Sequence, residues 1–120
     1  MTAGQPARVT ISTHVLDASV GAPARGVRVQ LEHRGRDGAW LAAARGSTDG
    51  DGRLRFAVQA NPADADAGEW RLTFGTGEYF GARGTESFYP EVTVAFTASA
   101  GHYHVPLLLS PFAYSTYRGS

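Results

Sequence analysis

Turn-forming sequences recur at short intervals along this chain and leave little room for long helices. Between them lie short runs rich in β-branched and aromatic residues. This alternation predicts an all-β sandwich or barrel. The turn sequences, in a chain of 120 residues with 15 glycines, are Gly21-Ala22-Pro23, Arg36-Asp37-Gly38, Asp49-Gly50-Asp51-Gly52, Gly75-Thr76-Gly77 and Gly101.

The runs between the turns predict eight strands and at most one short helix. Residues 76–83 are the one candidate for a helix, which Gly77 and Gly81 disfavour. Pro62 and small polar residues predict a loop at 60–68. A flexible tail at 1–7 is expected to precede a single domain at 8–120. The strands are predicted at 8–17, 26–34, 39–46, 53–58, 69–75, 90–97, 102–109 and 112–118.

Charge and cysteine content exclude several classes of protein. Lys+Arg and Asp+Glu are both 11, so the formal net charge is zero, and neither nucleic acid nor a membrane is expected as a partner. With no cysteine, the chain has neither disulfides nor a thiolate nucleophile. The N-terminus lacks the apolar run of a signal peptide and no segment is long enough to span a membrane. We therefore expect a soluble, cytoplasmic protein.

Two predicted strands carry apolar residues beside histidines on the face that points away from the core. Side chains alternate along a strand, so Val9, Ile11, Thr13 and Val15 are predicted to face the core, with His14 and Leu16 on the other face. In 102–109, the outer face similarly carries His102, His104, Pro106 and Leu108. An apolar outer face is typical of a subunit interface or a ligand groove. Scattered surface apolar residues explain the pattern equally well.

The residue types alone offer a candidate base but no complete catalytic site. Of the four histidines, His33 lies at a strand end and is predicted to be structural. The pair His102 and His104 has the spacing of metal ligands, but no third ligand is evident and we expect no metal. Asp49-Gly50-Asp51-Gly52 is predicted to be a tight turn rather than a calcium loop, because the required Glu is missing. Arg53, which follows it, either lies at the sheet rim with its guanidinium free or is an ordinary solvated arginine, and its position alone favours the second interpretation.

Four segments, taken together and in order, resemble the 5-hydroxyisourate hydrolases, the transthyretin-related proteins. The resemblance covers about residues 9–120, and its most specific mark is Tyr117-Arg118-Gly119-Ser120, expected to be the chain terminus. Asp49-Gly50 and Ala113 depart from common family residues without removing a chemical group. The segments are Ile11-Ser-Thr-His-Val-Leu-Asp17 with Gly21-Ala-Pro-Ala24, Thr48-Asp-Gly-Asp-Gly-Arg53, Phe88-Tyr-Pro-Glu-Val92, and His102-Tyr-His-Val-Pro-Leu-Leu-Leu-Ser-Pro-Phe-Ala-Tyr-Ser-Thr-Tyr-Arg-Gly-Ser120.

The resemblance implies a transthyretin-like sandwich of eight strands in two sheets, with one short helix after the fifth strand. It also implies a homotetramer, a dimer of dimers, with active sites in the channel between the dimers. The catalytic residues carried over from the family are His14, Arg53, His104 and Ser120. To substrate binding we assign the residues beside them, which are Leu16, Pro106, Tyr117, Arg118 and Gly119.

The implied reaction is the hydrolysis of 5-hydroxyisourate to 2-oxo-4-hydroxy-4-carboxy-5-ureidoimidazoline in urate breakdown. His104 or His14 would take a proton from the attacking water, with His104 slightly favoured. Arg53 would stabilise the carbonyl oxygen. No cofactor is implied. The alternatives are a non-catalytic, transthyretin-like carrier of small ligands and a purely structural β-domain. The histidine in His-Val-Pro-Leu-Leu-Leu-Ser and the ending Tyr-Arg-Gly-Ser, which transthyretin lacks, favour the hydrolase.

Overall fold

A computed structural model describes residues 7–60 and 68–120. Ten strands and one short helix make up this part of the chain. In chain order they are β1 (Ala7–Asp17), β2 (Ala22–Pro23), β3 (Arg28–Arg34), β4 (Trp40–Ser47), β5 (Arg53–Ala60), β6 (Glu69–Phe74), α1 (Thr76–Gly81), β7 (Val92–Thr97), β8 (Gly101–His104), β9 (Leu107–Ser110) and β10 (Ala113–Thr116).

The strands form two sheets whose facing sides build one apolar core. The first sheet is centred on β1, which pairs with β5 and β2 in antiparallel fashion and with β8 and β9 in parallel; β10 extends it beyond β9. The second sheet has the order β4-β3-β6-β7. Buried side chains from both sheets, such as Ile11 and Leu107 from the first and Leu31 and Leu72 from the second, belong to one cluster. The predicted all-β sandwich of two sheets is confirmed.

The alternation predicted for β1 is also confirmed. Val9, Ile11, Thr13 and Val15 are buried, whereas the intervening residues of this strand are only partly covered. His14 therefore lies on the outer face of the first sheet, as its position along the strand predicts.

The number of strands differs from the predicted eight because one strand is interrupted and a short one was not foreseen. The predicted strand at 102–109 is two strands, β8 and β9, separated by Val105 and Pro106. Proline lacks the N–H that a ladder needs, so the pairing stops there. The Thr13 hydroxyl donates to the Val105 carbonyl oxygen at 2.7 Å instead, which satisfies that acceptor. The additional strand is the two-residue β2.

The short helix lies within the predicted range, and a steric constraint explains why position 77 is glycine. The Gly77 N–H donates to the Pro90 carbonyl oxygen at 3.0 Å, and a Cβ at position 77 would lie 2.8 Å from that same oxygen. Gly77 lowers the intrinsic stability of the helix, but only glycine lets the helix pack this closely against Pro90.

A buried hydrogen bond ties the helix to the first sheet. The Tyr79 hydroxyl donates to Asp17 Oδ2 at 2.8 Å. Burial, together with this carboxylate, raises the pKa of Tyr79 to about 12. Burial alone would raise the pKa of Asp17, but hydrogen bonds from Ser19 and Tyr79 lower it overall. This hydrogen bond attaches the C-terminal end of β1, three residues after His14, to the helix.

Several sequence predictions fall outside the described part of the chain. The predicted tail covers 1–7, of which only Ala7, the first residue of β1, is described. Most of the predicted loop at 60–68 likewise lies outside the described residues. No helix among the described residues is long and apolar enough to cross a membrane. The single domain at 8–120 and the cytoplasmic location stay predictions.

Candidate functional site

The site begins with a cross-strand pair on the outer face of the first sheet. His14 on β1 and Arg53 on β5 are directly opposed in the antiparallel register. Opposed residues of such a pair project from the same face with their Cβ atoms about 5 Å apart. Arg53 is exposed, and within the described residues its guanidinium makes no hydrogen bond or ion pair. A free guanidinium therefore stands beside an imidazole.

The tight turn before β5 fixes the start of that strand and so the position of Arg53. Asp49 Oδ1 accepts hydrogen bonds from the backbone N–H groups of Asp51 and Arg53, both at 2.9 Å. These bonds, with the nearby charge of Arg53, lower the pKa of Asp49. Gly52 has φ of +74°, and a Cβ there would collide with the carbonyl oxygen of Val15. The turn predicted at 49–52 is confirmed, and its residues lock β5 against β1.

A second histidine reaches this face from the strand on the other side of β1. His104 on β8 pairs with Ser12 in the parallel register, and His102 pairs with Thr10. Ser12 Oγ lies 2.8 Å from His104 Nδ1 and 3.3 Å from His102 Nε2. Within residues 7–60 and 68–120, His104 Nε2 has no hydrogen-bond partner. That nitrogen is therefore available to a ligand.

The final residues of the chain lie against His104. The Gly119 N–H donates to the His104 carbonyl oxygen at 2.8 Å and the two residues form an isolated β-bridge. A Cβ at position 119 would lie 2.5 Å from His104 Cδ2 and 3.2 Å from Cγ. Only glycine lets the backbone approach the imidazole so closely. Ser120, which is exposed, follows directly.

The electrostatics of the site favour a neutral imidazole. Burial lowers the pKa of His104, and the positive charge of Arg53 and the neighbouring His14 and His102 lower it further. The Ser12 backbone carbonyl partly opposes this shift. A neutral imidazole near neutral pH can accept a proton. His104 therefore combines a free nitrogen with the protonation state of a base.

The structure brings together three of the four predicted catalytic residues. His14, Arg53 and His104 come from β1, β5 and β8, three neighbouring strands of one sheet, and the segment ending in Ser120 runs past His104. His33 lies in the other sheet, buried and stacked on Trp70 at 4.2 Å, which confirms its structural role.

The residues assigned to substrate binding are placed less uniformly. Leu16 lies on the same outer face of β1 as His14, two residues further along. Pro106, predicted on the outer face, is instead buried, because the strand is interrupted at this point, and its carbonyl oxygen accepts a hydrogen bond from Thr116 at 2.7 Å. Tyr117 and Arg118 border an apolar cavity of about 240 Å³ between β7 and β8, where the Arg118 guanidinium lies over the Tyr103 ring. His104 also lines this cavity, which therefore adjoins the site.

Two residues that contact the site residues were not assigned to the site in the sequence analysis. Ser12 touches both histidines of β8, and Asp49 holds the backbone of Arg53. The spacing of Ser12 and His14 places both on one face, which was the available signal. The parallel pairing of β1 with β8 was not visible in the sequence. Among the described residues, no group of three or more His, Asp or Glu side chains is arranged to hold a metal ion.

Comparison with known proteins gives one consistent result. A sequence model described as "HIUase/Transthyretin family" matches residues 11–119. The 5-hydroxyisourate hydrolase of Salmonella typhimurium is 46% identical over 112 residues, covering 92% of this chain and 80% of that protein. The 5-hydroxyisourate hydrolase of Mus musculus is 41% identical over 113 residues, covering 92% of this chain and 94% of that protein.

Solved structures of both branches of this family are similar to the chain. The 5-hydroxyisourate hydrolase of Klebsiella pneumoniae has a TM-score of 0.75 and 38% identity, covering 93% of this chain and 99% of that one. Sea bream transthyretin in complex with thyroxine has a TM-score of 0.77 and 29% identity, covering 91% of this chain and 93% of that one. The predicted transthyretin-like fold is thereby confirmed, and the backbone is shared with a thyroxine-bound transthyretin and with a 5-hydroxyisourate hydrolase.

Proposed function

The chain belongs to the HIUase/transthyretin family, and from that membership and its site we infer that it is a 5-hydroxyisourate hydrolase of urate breakdown. It opens the six-membered ring of 5-hydroxyisourate to give 2-oxo-4-hydroxy-4-carboxy-5-ureidoimidazoline. The observation that carries the proposal is the convergence of His14, Arg53 and His104 from three neighbouring strands on one outer face.

His104 is the base that removes a proton from the attacking water. Its Nε2 has no partner among the described residues, and its lowered pKa keeps the ring neutral near pH 7. Water oxygen forms a bond to the ring carbonyl carbon while its proton passes to Nε2. As the carbon–nitrogen bond breaks, the imidazolium returns that proton to the leaving nitrogen. The histidine ends the cycle neutral.

Arg53 stabilises the negative charge that develops on the carbonyl oxygen. Its guanidinium is a permanent cation with several donors in one plane, which suits the planar, polar edge of a purine-derived ring. His14, directly across the strand pair, lies close enough to orient the substrate or the water beside this charge. Ser120, next to Gly119, is the fourth member of the proposed site.

A second copy of the chain completes the site. We propose a homotetramer, a dimer of dimers, in which the outer face of β1, β9 and β10 is covered by another dimer. Leu16 and Leu108 are paired in register on this face, and Leu108 is 37% exposed in the single chain. Covering this face removes apolar surface from water and encloses the histidines in a channel.

The comparisons favour the hydrolase over the carrier. The curated relatives named 5-hydroxyisourate hydrolase reach 41–46% identity, whereas the sea bream transthyretin is 29% identical. A carrier needs no proton acceptor, yet the outer face holds a histidine with an unpartnered nitrogen and a lowered pKa. The backbone likeness alone does not separate the two functions.

The proposal is tested by following 5-hydroxyisourate absorbance after adding protein. We expect its decay to accelerate well beyond the spontaneous rate and to saturate with substrate. Ligand binding without turnover would instead indicate a carrier. His104→Asn, which removes the base, should lower kcat by roughly 100- to 10,000-fold. Unchanged turnover in a folded His104→Asn protein would contradict the role of His104.

A further inference from the structure

Ser12 occupies a position that the reaction described above does not use. It faces His104 across the parallel pairing of β1 and β8, and it is half-buried. Its Oγ lies 2.8 Å from His104 Nδ1 and 3.3 Å from His102 Nε2. One hydroxyl therefore links the two histidines of β8.

The hydrogen-bond capacity of a hydroxyl restricts how this link can be made. A serine hydroxyl has one proton to donate and lone pairs to accept with, so it cannot donate to both rings. Either His104 Nδ1 donates to Ser12 and Ser12 donates to His102 Nε2, or the direction is reversed. In the first case His104 Nε2 carries no proton in the neutral ring, and in the second case it does.

The proposed reaction selects the first direction. His104 Nε2 has no partner among the described residues, and it can take a proton from water only if it carries none. The ring proton then lies on Nδ1, which donates to Ser12 Oγ at 2.8 Å.

We propose that Ser12 is a positioning residue that holds His104 with its proton on Nδ1, so that Nε2 is the nitrogen that accepts the proton from water. This inference rests on the proposed hydrolase function and adds a residue to it. The hydroxyl proton of Ser12 then points to His102 Nε2. His102 acts in this chain of hydrogen bonds by fixing the direction of the serine proton.

Gly119 supports the same orientation from the other edge of the ring. Position 119 lies against His104 Cδ2, whereas Ser12 lies against Nδ1 on the opposite edge. A rotation of the ring by half a turn would exchange these two edges. It would leave Nδ1 against the Gly119 backbone and Ser12 without its partner, so the hydrogen bond selects one of the two orientations.

The tautomer of His104 can be measured in the unliganded wild-type protein. In ¹⁵N NMR spectra above the pKa of the ring, we expect the chemical shifts and couplings of a protonated Nδ1 and a bare Nε2. This measurement needs neither substrate nor a variant. A bare Nδ1 in the wild-type protein would overturn the proposal at once.

Three variants then test the contribution of the Ser12 hydroxyl. Ser12→Ala should lose the single-tautomer signature and lower kcat about tenfold, the worth of one ordinary hydrogen bond, with a smaller effect on KM. Ser12→Thr keeps the hydroxyl and should restore both. Thr10→Val, one step along the same face of β1, removes a hydroxyl from outside this chain of bonds and should leave both readouts unchanged.

The outcomes separate this inference from the proposed function. A wild-type protein with the expected tautomer but no turnover would contradict the hydrolase function and leave the positioning of the ring supported. If Ser12→Ala keeps the tautomer and the rate of the wild-type protein, the role of Ser12 is overturned and the hydrolase function stands. Should Ser12→Ala not fold, the wild-type spectrum and Ser12→Thr still decide the question.

Discussion

His14 on β1 and Arg53 on β5 are opposed residues of one antiparallel ladder, so their side chains leave the sheet next to each other. His104 approaches from the opposite side of β1, on the parallel-paired β8. A permanent positive charge therefore stands beside two imidazoles, and it disfavours the protonation of His104. This arrangement gives Arg53 an effect on the base in addition to any contact with substrate.

The acid limb of the wild-type pH–rate profile should lie below 6.5. Burial and then the charge of Arg53 lower the pKa of His104 from its usual 6.5. Because the folded pKa is lower, the neutral base persists as pH falls through 6.5, and activity is lost only near the lower folded value. Measuring kcat/KM from pH 4.5 to 8 gives the pKa in the free enzyme. A limb above 6.5 would contradict this assignment.

Replacing Arg53 with glutamine should move that limb. Arg53→Gln removes a charge that lowers the pKa of His104, so the pKa should rise toward 6.5 and the acid limb should shift to higher pH. Arg53→Lys keeps the charge but loses the planar fork, so kcat/KM should fall at least tenfold with the limb unmoved. An NMR titration of His104 follows the pKa directly.

Arg55→Gln is the matched control for these two variants. Arg55 lies on the same strand and face as Arg53, is exposed, and pairs with Ser12 rather than His14. It should change the pKa of His104 less than Arg53→Gln does. Equal shifts in both variants would mean that the pKa responds to net charge and not to the position of Arg53.

Gly52→Ala should destabilise the fold. The residue has φ of +74°, and a Cβ would press on the backbone oxygen of Val15. Positive φ in a non-glycine residue costs about 1–3 kcal/mol before the collision is added. We expect Tm to fall by roughly 10 °C in thermal unfolding. Gly50→Ala, with no neighbouring atom within 4 Å of the added Cβ, should be nearly neutral, and similar Tm values for both would contradict the argument.

The fold was predictable to the extent that local patterns determine it. Alternation placed Val15 inside and His14 outside, and turn residues located the boundary before β5. The break between β8 and β9 was missed although Pro106 was visible, because apolar alternation continues through it. The two-residue β2 has no pattern long enough to detect, and its pairing with the end of β1 is a tertiary contact.

The site was predictable only in part for the same reason. Motifs identified His14, Arg53 and His104, and alternation placed the histidines on outer faces. Which strands become neighbours depends on long-range pairing, so the contact of Ser12 with both β8 histidines could not be derived from spacing. The position of Tyr117 and Arg118 at a cavity that His104 also lines likewise depends on how the residues after β10 pass β8.

Leu108→Glu should dissociate the proposed tetramer. Leu108 is exposed in the single chain and lies beside Leu16 on the outer face. An unpaired charge buried in a subunit interface costs several kcal/mol. Light scattering should show dimers, with turnover lost in parallel and the far-ultraviolet circular dichroism unchanged. Val20→Glu, at a residue 68% exposed in the turn after β1, is the control for added charge. A tetrameric Leu108→Glu protein would place the interface elsewhere.

The last prediction concerns the glycine that lies on the imidazole. In Gly119→Ala the new methyl group would stand 2.5 Å from His104 Cδ2, well inside van der Waals contact. Either the His104 ring rotates away or the terminal segment moves off the sheet. Both lie near the surface and neither belongs to the buried core. We expect kcat/KM to fall on the order of 100-fold, as for a catalytic group displaced by about 1 Å.

Stability distinguishes this effect from loss of folding. Gly119 contributes one backbone hydrogen bond to His104, so Tm should change by only a few degrees. The Gly50→Ala protein controls for the substitution itself. An inactive Gly119→Ala protein with a normal Tm and an altered His104 NMR signal would support a terminal segment that orients the base. Full activity would mean that the segment yields without moving the ring, and the close approach of Gly119 would then have no part in catalysis.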